Sequence, residues 1–292
     1  MKKKWLAGLL VALSFSAPIA ARADTVNVMY AGSLVHLMEQ RIGPAFEKAT
    51  GTTFRGYAGG SNKLANEIKG KLRRADVFIS ANPAVNKTLM GESNGDWVGW
   101  YANFAESPLL IGYNPRSRFA KTLQTERWDR ALTTPGIRIG RTDPKLDPKG
   151  AYTMQLLEEA ERVYQAPGLS QRMLGAPDNP QQVLPEETLV GRLQSGQLDA
   201  GFFYSTETSD LNIPAIRLPA DFDIKARYTV TVVNRAPNAE GAARFVNFLL
   251  SDAGRKLLRD SGVDVLPTPV VTGDAGAVPP ALQVALPAPR AQ

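Results

Sequence analysis

The sequence predicts an α/β fold in two lobes, each a mostly parallel sheet flanked by helices, with a ligand cleft between them. Three observations carry this expectation. A short β-like run followed by a helical period occurs three times in succession near the N-terminus, the pattern of strands joined by helical crossovers. The series breaks near residues 105–115 and a second return comes near 219–233, as in a chain that crosses twice between two bodies. Two early strand–helix junctions are glycine turns running into serine, Ala31-Gly32-Ser33-Leu34 and Ala58-Gly59-Gly60-Ser61.

The chain begins with Lys2, Lys3 and Lys4, an apolar stretch from Trp5 to Ala20, and Ala21-Arg22-Ala23. This is the layout of a signal peptide over residues 1–23, cleaved before Asp24. Its loss removes the three lysines and Arg22, so basic residues fall from 34 to 30 against 28 acids and the net charge from +6 to +2. That balance gives no support for a nucleic-acid surface. With no cysteine, the exported chain relies on a packed core, and its single histidine, His36, excludes Cys/His zinc sites. The absence of a lipobox cysteine favours a free exported protein over a lipid-anchored one.

Thr25 to Tyr30 reads as the first strand. The helix from Leu34 carries apolar residues at 34, 37, 38, 42, 45 and 46, with a kink at Gly43-Pro44. A strand over Thr53 to Tyr57, a helix after Ser61, a strand over Ala75 to Ser80 and a helix from Ala84 complete the triple unit. Phe104 to Tyr113 is a strand followed by loop-like sequence, then a short helix over Trp128 to Leu132 and a strand over Gly136 to Gly140. A long helix follows Asp147-Pro148, another begins at Glu186, and Leu198 to Tyr204 is a strand. Strands at Ala215 to Leu218 and Tyr228 to Val233 precede closing helices over Ala239 to Leu250 and Ala253 to Leu258. The Pro-, Ala- and Gly-rich tail from Pro267 is expected to be irregular. Lobe 1 is therefore drawn from residues 24–108 and 219–292, lobe 2 from 109–218.

Ligands of parallel α/β sheets bind where strand ends meet helix starts. Ser33, Ser61, Asp147 and Glu186 lie at such helix starts and Tyr204 at a strand end. Both serines sit where an N-cap is expected, Asp147 before Pro148 is a good cap, and Glu186 favours the helix dipole. Two helix starts side by side would also suit an anion. Catalytic readings fit less well. Ser33 and His36 lack an orienting acid and a Gly-x-Ser-x-Gly elbow, and Gly59-Gly60-Ser61 lacks the lysine of a nucleotide loop. An Asp147/Glu186 pair could serve a glycosidase only with sugar platforms, for which Trp97, Trp100 and Tyr101 are the available cluster.

At these residues, together with Ala75-Asp76-Val77-Phe78-Ile79-Ser80-Ala81, Asp147-Pro148-Lys149-Gly150, Pro185-Glu186-Glu187 and Phe203-Tyr204, the chain resembles the periplasmic molybdate/tungstate-binding proteins of ABC importers. The resemblance implies the type II periplasmic binding protein fold. It implies that Ser33, Ser61, the Lys149 backbone N–H and the Tyr204 hydroxyl hold the oxyanion. Within the archaeal-type subgroup, it implies that Asp147 and Glu186 ligate Mo or W directly. It further implies no enzymatic activity, no cofactor, a monomer, and an inner-membrane ABC permease as partner. Two acids facing a dianion repel it unless their oxygens bond to its central atom. Mo(VI) and W(VI) can expand from four to six oxygen ligands and sulfur cannot, so such a site would turn sulfate away. A ferric-ion or other small-solute binder and, further off, an exported hydrolase remain as alternatives at this point.

Overall fold

The computed structural model describes residues 24–176 and 178–286, so the expected signal peptide and the last six residues of the tail lie outside the described residues. Strand β1 (Thr25–Ala31) enters a continuous helical run. This run is a 3₁₀ turn (Gly32–Leu34), α1 (Val35–Leu37), a π turn (Met38–Ile42) and α2 (Gly43–Thr50). The π turn is how the expected kink is realised. Pro44 has no N–H to direct at the Gln40 carbonyl, and the turn before it widens. Then come β2 (Thr53–Gly59), α3 (Ser61–Lys69), β3 (Val77–Ser80) and α4 (Pro83–Lys87).

The 14-residue strand β4 (Trp100–Tyr113) is the spine of the molecule. Residues 102–108 pair with β8 (Lys225–Val232), and residues 109–113 pair with β6 (Ala200–Tyr204), so one strand is hydrogen-bonded in both lobes. Between β4 and β6 lie α5 (Ala120–Thr125), α6 (Trp128–Ala131), β5 (Ile139–Gly140), α7 (Pro148–Val163), α8 (Leu169–Leu174) and α9 (Glu186–Gln194). After β6 come α10 (Ser205–Asp210) and β7 (Ala215–Arg217), and after β8 come α11 (Ala239–Leu250), α12 (Asp252–Asp260) and β9 (Asp264–Gly273).

The sheet order is β2-β1-β3-β8-β4-β6-β5, with β7 and β9 both on β4. The crossover strands β1, β2 and β3 run parallel, as do β5 and β6. Strands β4 and β8 are antiparallel to their neighbours, so each lobe's sheet is mixed and less parallel than the β-α repeats alone imply. The tail differs most from expectation. Residues 264–273 form a strand on β4, and Val278, Leu282 and Leu286 are buried in the main core. Its prolines are tolerated because β9 pairs only with β4 and lies at an edge.

Trp100 and Tyr101 are core residues, and Trp97 is half-buried beneath Arg235. None of this cluster forms an exposed sugar platform, which removes the support the glycosidase reading needed.

Candidate functional site

The glycine turns bring the two lobes together. A Cβ added to Gly32 would lie 2.2 Å from Glu186 Cγ, and one added to Gly60 would lie 2.4 Å from the Leu146 carbonyl oxygen and 3.0 Å from Asp147 Cβ. Only a residue without a side chain allows so close an approach. Each lobe-1 serine therefore follows a glycine packed on a lobe-2 acid: Ser33 beside Glu186, Ser61 beside Asp147.

Neither serine is the N-cap that the sequence suggests. The α3 N-cap is Gly60, with no side-chain cap bond, and the 3₁₀ turn holding Ser33 has none either. Ser61 Oγ instead accepts the Ala81 N–H at 3.1 Å, leaving its own proton to donate. Ser33 Oγ meets the Tyr228 hydroxyl at 2.8 Å. Both serines are buried.

In lobe 2, Asp147 is the α7 N-cap: its Oδ1 accepts the Lys149 N–H and the Thr142 hydroxyl, both at 2.9 Å. The Lys149 backbone N–H is thus engaged with Asp147. Its side chain, which the sequence reading did not single out, is fully buried. Lys149 Nζ donates to Glu186 Oε1 and Glu207 Oε1, each at 2.8 Å, and Glu207 Oε2 accepts the Tyr204 N–H at 2.8 Å. One lysine therefore ties together the residues of all three lobe-2 site elements, α7, α9 and the β6–α10 junction.

Two buried polar atoms at this point have no hydrogen-bond partner among the described residues, Glu186 Oε2 and Tyr204 Oη. The Tyr204 ring packs edge-on against Tyr228, with centroids 6.4 Å apart at 76°. Burial drives the charges here. It pushes the carboxyl groups of Asp147, Glu186 and Glu207 above their usual range, against the pull of Lys149. The same burial works against the ammonium of Lys149, yet Glu186, Glu207 and Asp147 outweigh it and raise its pKa. Burial also raises the Tyr204 and Tyr228 hydroxyls, keeping both as neutral donors.

Two cavities meet at Glu186. One of about 290 Å³ is bounded by Gly60, Thr142, Asp147 and Pro185, the other of about 410 Å³ by Gly32, Ser33, Thr206 and Glu207. The lobes touch on both sides of them. Lys63 N–H donates to Leu146 O at 3.1 Å on one side. On the other, Arg41 Nη2 lies 3.0 Å from Asp210 Oδ1, and His36 Nδ1 also pairs with Asp210. A larger cavity of about 580 Å³ between Asn114, Arg118 and Gly136 belongs to lobe 2 alone and holds none of these residues. With Ser33 bonded to Tyr228 and His36 to Asp210, the Ser–His contact of a hydrolase is not made.

Residues 26–264 match the bacterial extracellular solute-binding protein family. A solute-binding protein of Halobacterium salinarum is 30% identical over 89% of each chain. A molybdate/tungstate-binding protein of Pyrococcus abyssi is 25% identical over 85% of this chain and 86% of its own. Among solved structures, the periplasmic molybdate-binding protein of Azotobacter vinelandii superposes with a TM-score of 0.64 at 18% identity, covering 83% of this chain and 100% of its own. A sulfate-binding protein of Mycobacterium tuberculosis reaches 0.60 at 17% identity, covering 91% and 92%. These likenesses show the two-lobed periplasmic binding protein fold, and a fold does not by itself fix function. From the family match and the Halobacterium relative together, the chain belongs to the bacterial extracellular solute-binding proteins.

Proposed function

We propose that this exported protein captures molybdate or tungstate between its lobes and delivers it to an ABC permease in the inner membrane, without catalysis. The observation that carries the reading is the pair of unpartnered, buried atoms Glu186 Oε2 and Tyr204 Oη, with the glycine before Ser33 packed on Glu186 from the other lobe. A carboxylate oxygen offers a bond to an expandable metal centre, and the tyrosine and serines donate to its oxo groups. Ser33, Ser61 and Tyr204 are the donors in this scheme, with Asp147 and Glu186 the ligands to Mo or W. The Lys149 N–H, engaged with Asp147, orients that carboxylate. The Pyrococcus relative, named for both oxyanions, supports the same solute.

A ferric ion fits the site poorly, because the Lys149 ammonium already sits between Glu186 and Glu207. Residues 109–218 are taken as the lobe that closes, with the monomeric protein working in the periplasm. Titration calorimetry with tungstate, molybdate and sulfate tests the proposal. Wild type is expected to bind the two metal oxyanions at micromolar or tighter affinity and sulfate not at all, with Glu186→Gln losing tungstate by roughly a hundredfold, the range for one buried charged ligand. Equal affinities for sulfate and tungstate would end the carboxylate argument.

A further inference from the structure

We propose that Glu207 is a positioning residue that, through Lys149, makes this site refuse oxyanions unable to bond to a carboxylate. The inference deepens the proposed function and rests on it. Glu207 comes from α10, a segment whose sequence, Ser205-Thr206-Glu207-Thr208-Ser209-Asp210, carries no motif. Its carboxylate is buried and fully engaged: it accepts Lys149 Nζ at 2.8 Å and the Tyr204 N–H at 2.8 Å.

Two consequences follow from that geometry. The first is orientation. Lys149 Nζ is held between Glu207 and Glu186 Oε1, so Glu186 has one oxygen fixed and presents the other, Oε2, without a partner. Glu207 fixes the backbone of Tyr204 as well, so the carboxylate and the hydroxyl that face the ligand are anchored on one residue. The second is charge. A buried ammonium beside an anion site would attract sulfate and phosphate as readily as molybdate, since all are tetrahedral dianions or close to it. Here the ammonium is enclosed by two carboxylates, and with Asp147 three buried acidic groups face one basic group. An oxyanion entering meets an excess of acid. It is held only if the acids themselves become ligands. Glu207 supplies the part of that excess that does not touch the ligand.

The test is the ratio of tungstate to sulfate affinity, measured by titration calorimetry on wild type and Glu207→Gln. The variant keeps the side chain's shape and an acceptor for Lys149 while removing one charge. Its tungstate-to-sulfate ratio is expected to fall at least tenfold, about the effect of one unit charge at close range in a buried site, chiefly through a gain in sulfate binding. A residue that only supported the fold would weaken both ions alike and leave the ratio unchanged, and a ratio within threefold of wild type overturns the proposal. The double variant Lys149→Met with Glu207→Leu is the second measurement, and thermal melts of both variants establish that each is folded before its affinities are compared. The double variant removes one charge of each sign, so sulfate is expected to stay excluded while tungstate weakens at least tenfold, about the cost of Glu186 losing its anchor. Sulfate binding by the double variant, or tungstate binding equal to wild type, counts against the proposal. Should wild type itself not bind tungstate, the proposed function fails, whereas a gain of sulfate binding by Glu207→Gln would still establish the charge role.

Discussion

The contact between Gly32 and Glu186 turns lobe closure into a measurable quantity. Gly32 does not occupy the left-handed region, so alanine costs its backbone little. In the closed molecule its methyl carbon would stand 2.2 Å from Glu186 Cγ and 3.1 Å from Glu186 Cβ, inside the 3.4 Å at which ordinary carbon contact begins. Glu186 cannot simply swing away, because Cβ is fixed to α9 and Oε1 is tied to Lys149. Helix α9 must retreat or the lobes must stop short. Overpacking of this kind costs about 1–3 kcal/mol, which is roughly a 5- to 150-fold loss of tungstate affinity. With the lobes apart there is no clash, so the unliganded melting temperature of Gly32→Ala should match wild type. Gly191→Ala, on the same helix with nothing within 4 Å of the added carbon, is the control. It should bind as wild type does and melt slightly higher, since alanine favours a helix over glycine by up to about 1 kcal/mol. Calorimetry and thermal melts on the two variants decide the matter. Wild-type affinity in Gly32→Ala would refute both the closed geometry and the place of Glu186 in the site.

Two further outcomes are expected. Leu282 is fully buried although it belongs to the last described segment, so Leu282→Ala should lose about 2–5 kcal/mol in urea denaturation, lowering the midpoint without changing the slope. Burial raises the Asp199 carboxyl, but hydrogen bonds from Arg138 and Ser117 outweigh it and hold it below the usual range. Its contribution is therefore present above the unfolded value of about 3.9 and is lost as pH falls through the lower folded value. Asp199→Asn should be less stable than wild type at pH 7 and lose less stability on going to pH 3.

The sequence was informative where one physical signal dominated. Helix α11 could be read from Ala239 to Leu250 because one face is apolar and Pro237-Asn238 marks its start. Asp147 before Pro148 announced its own cap. Ser33 and Ser61 were placed at the right junctions with the wrong bond, because a serine at the cap and one a residue later look alike until the partner strand delivers the Ala81 N–H. Strand β9 was hidden by Pro267 and Pro269, which an edge position tolerates. The short helices α5, α8 and α10 hold too few residues for a helical period to show. Lys149 stood out only for its backbone N–H, and Glu207 not at all. Their pairing spans 58 residues and exists only once α7 and α10 are packed. Tyr228 looked like one more core residue of a central strand, since nothing local places its hydroxyl against Ser33. The one local hint was the abrupt change from the apolar Ala200–Tyr204 strand to six polar residues.

The way the sheet is shared also bears on the order in which such a chain folds. Val77 pairs with Val28 on one side but on the other waits for Val232, and Trp100 pairs with Gly273. The first lobe to be synthesised is thus the last to be completed, with its sheet open until the C-terminal strands arrive. Pairings so distant in sequence form slowly. The N-terminal strands of lobe 1 therefore wait on the C-terminal ones, whereas the strands of lobe 2 pair within residues 109–217 and need no later segment.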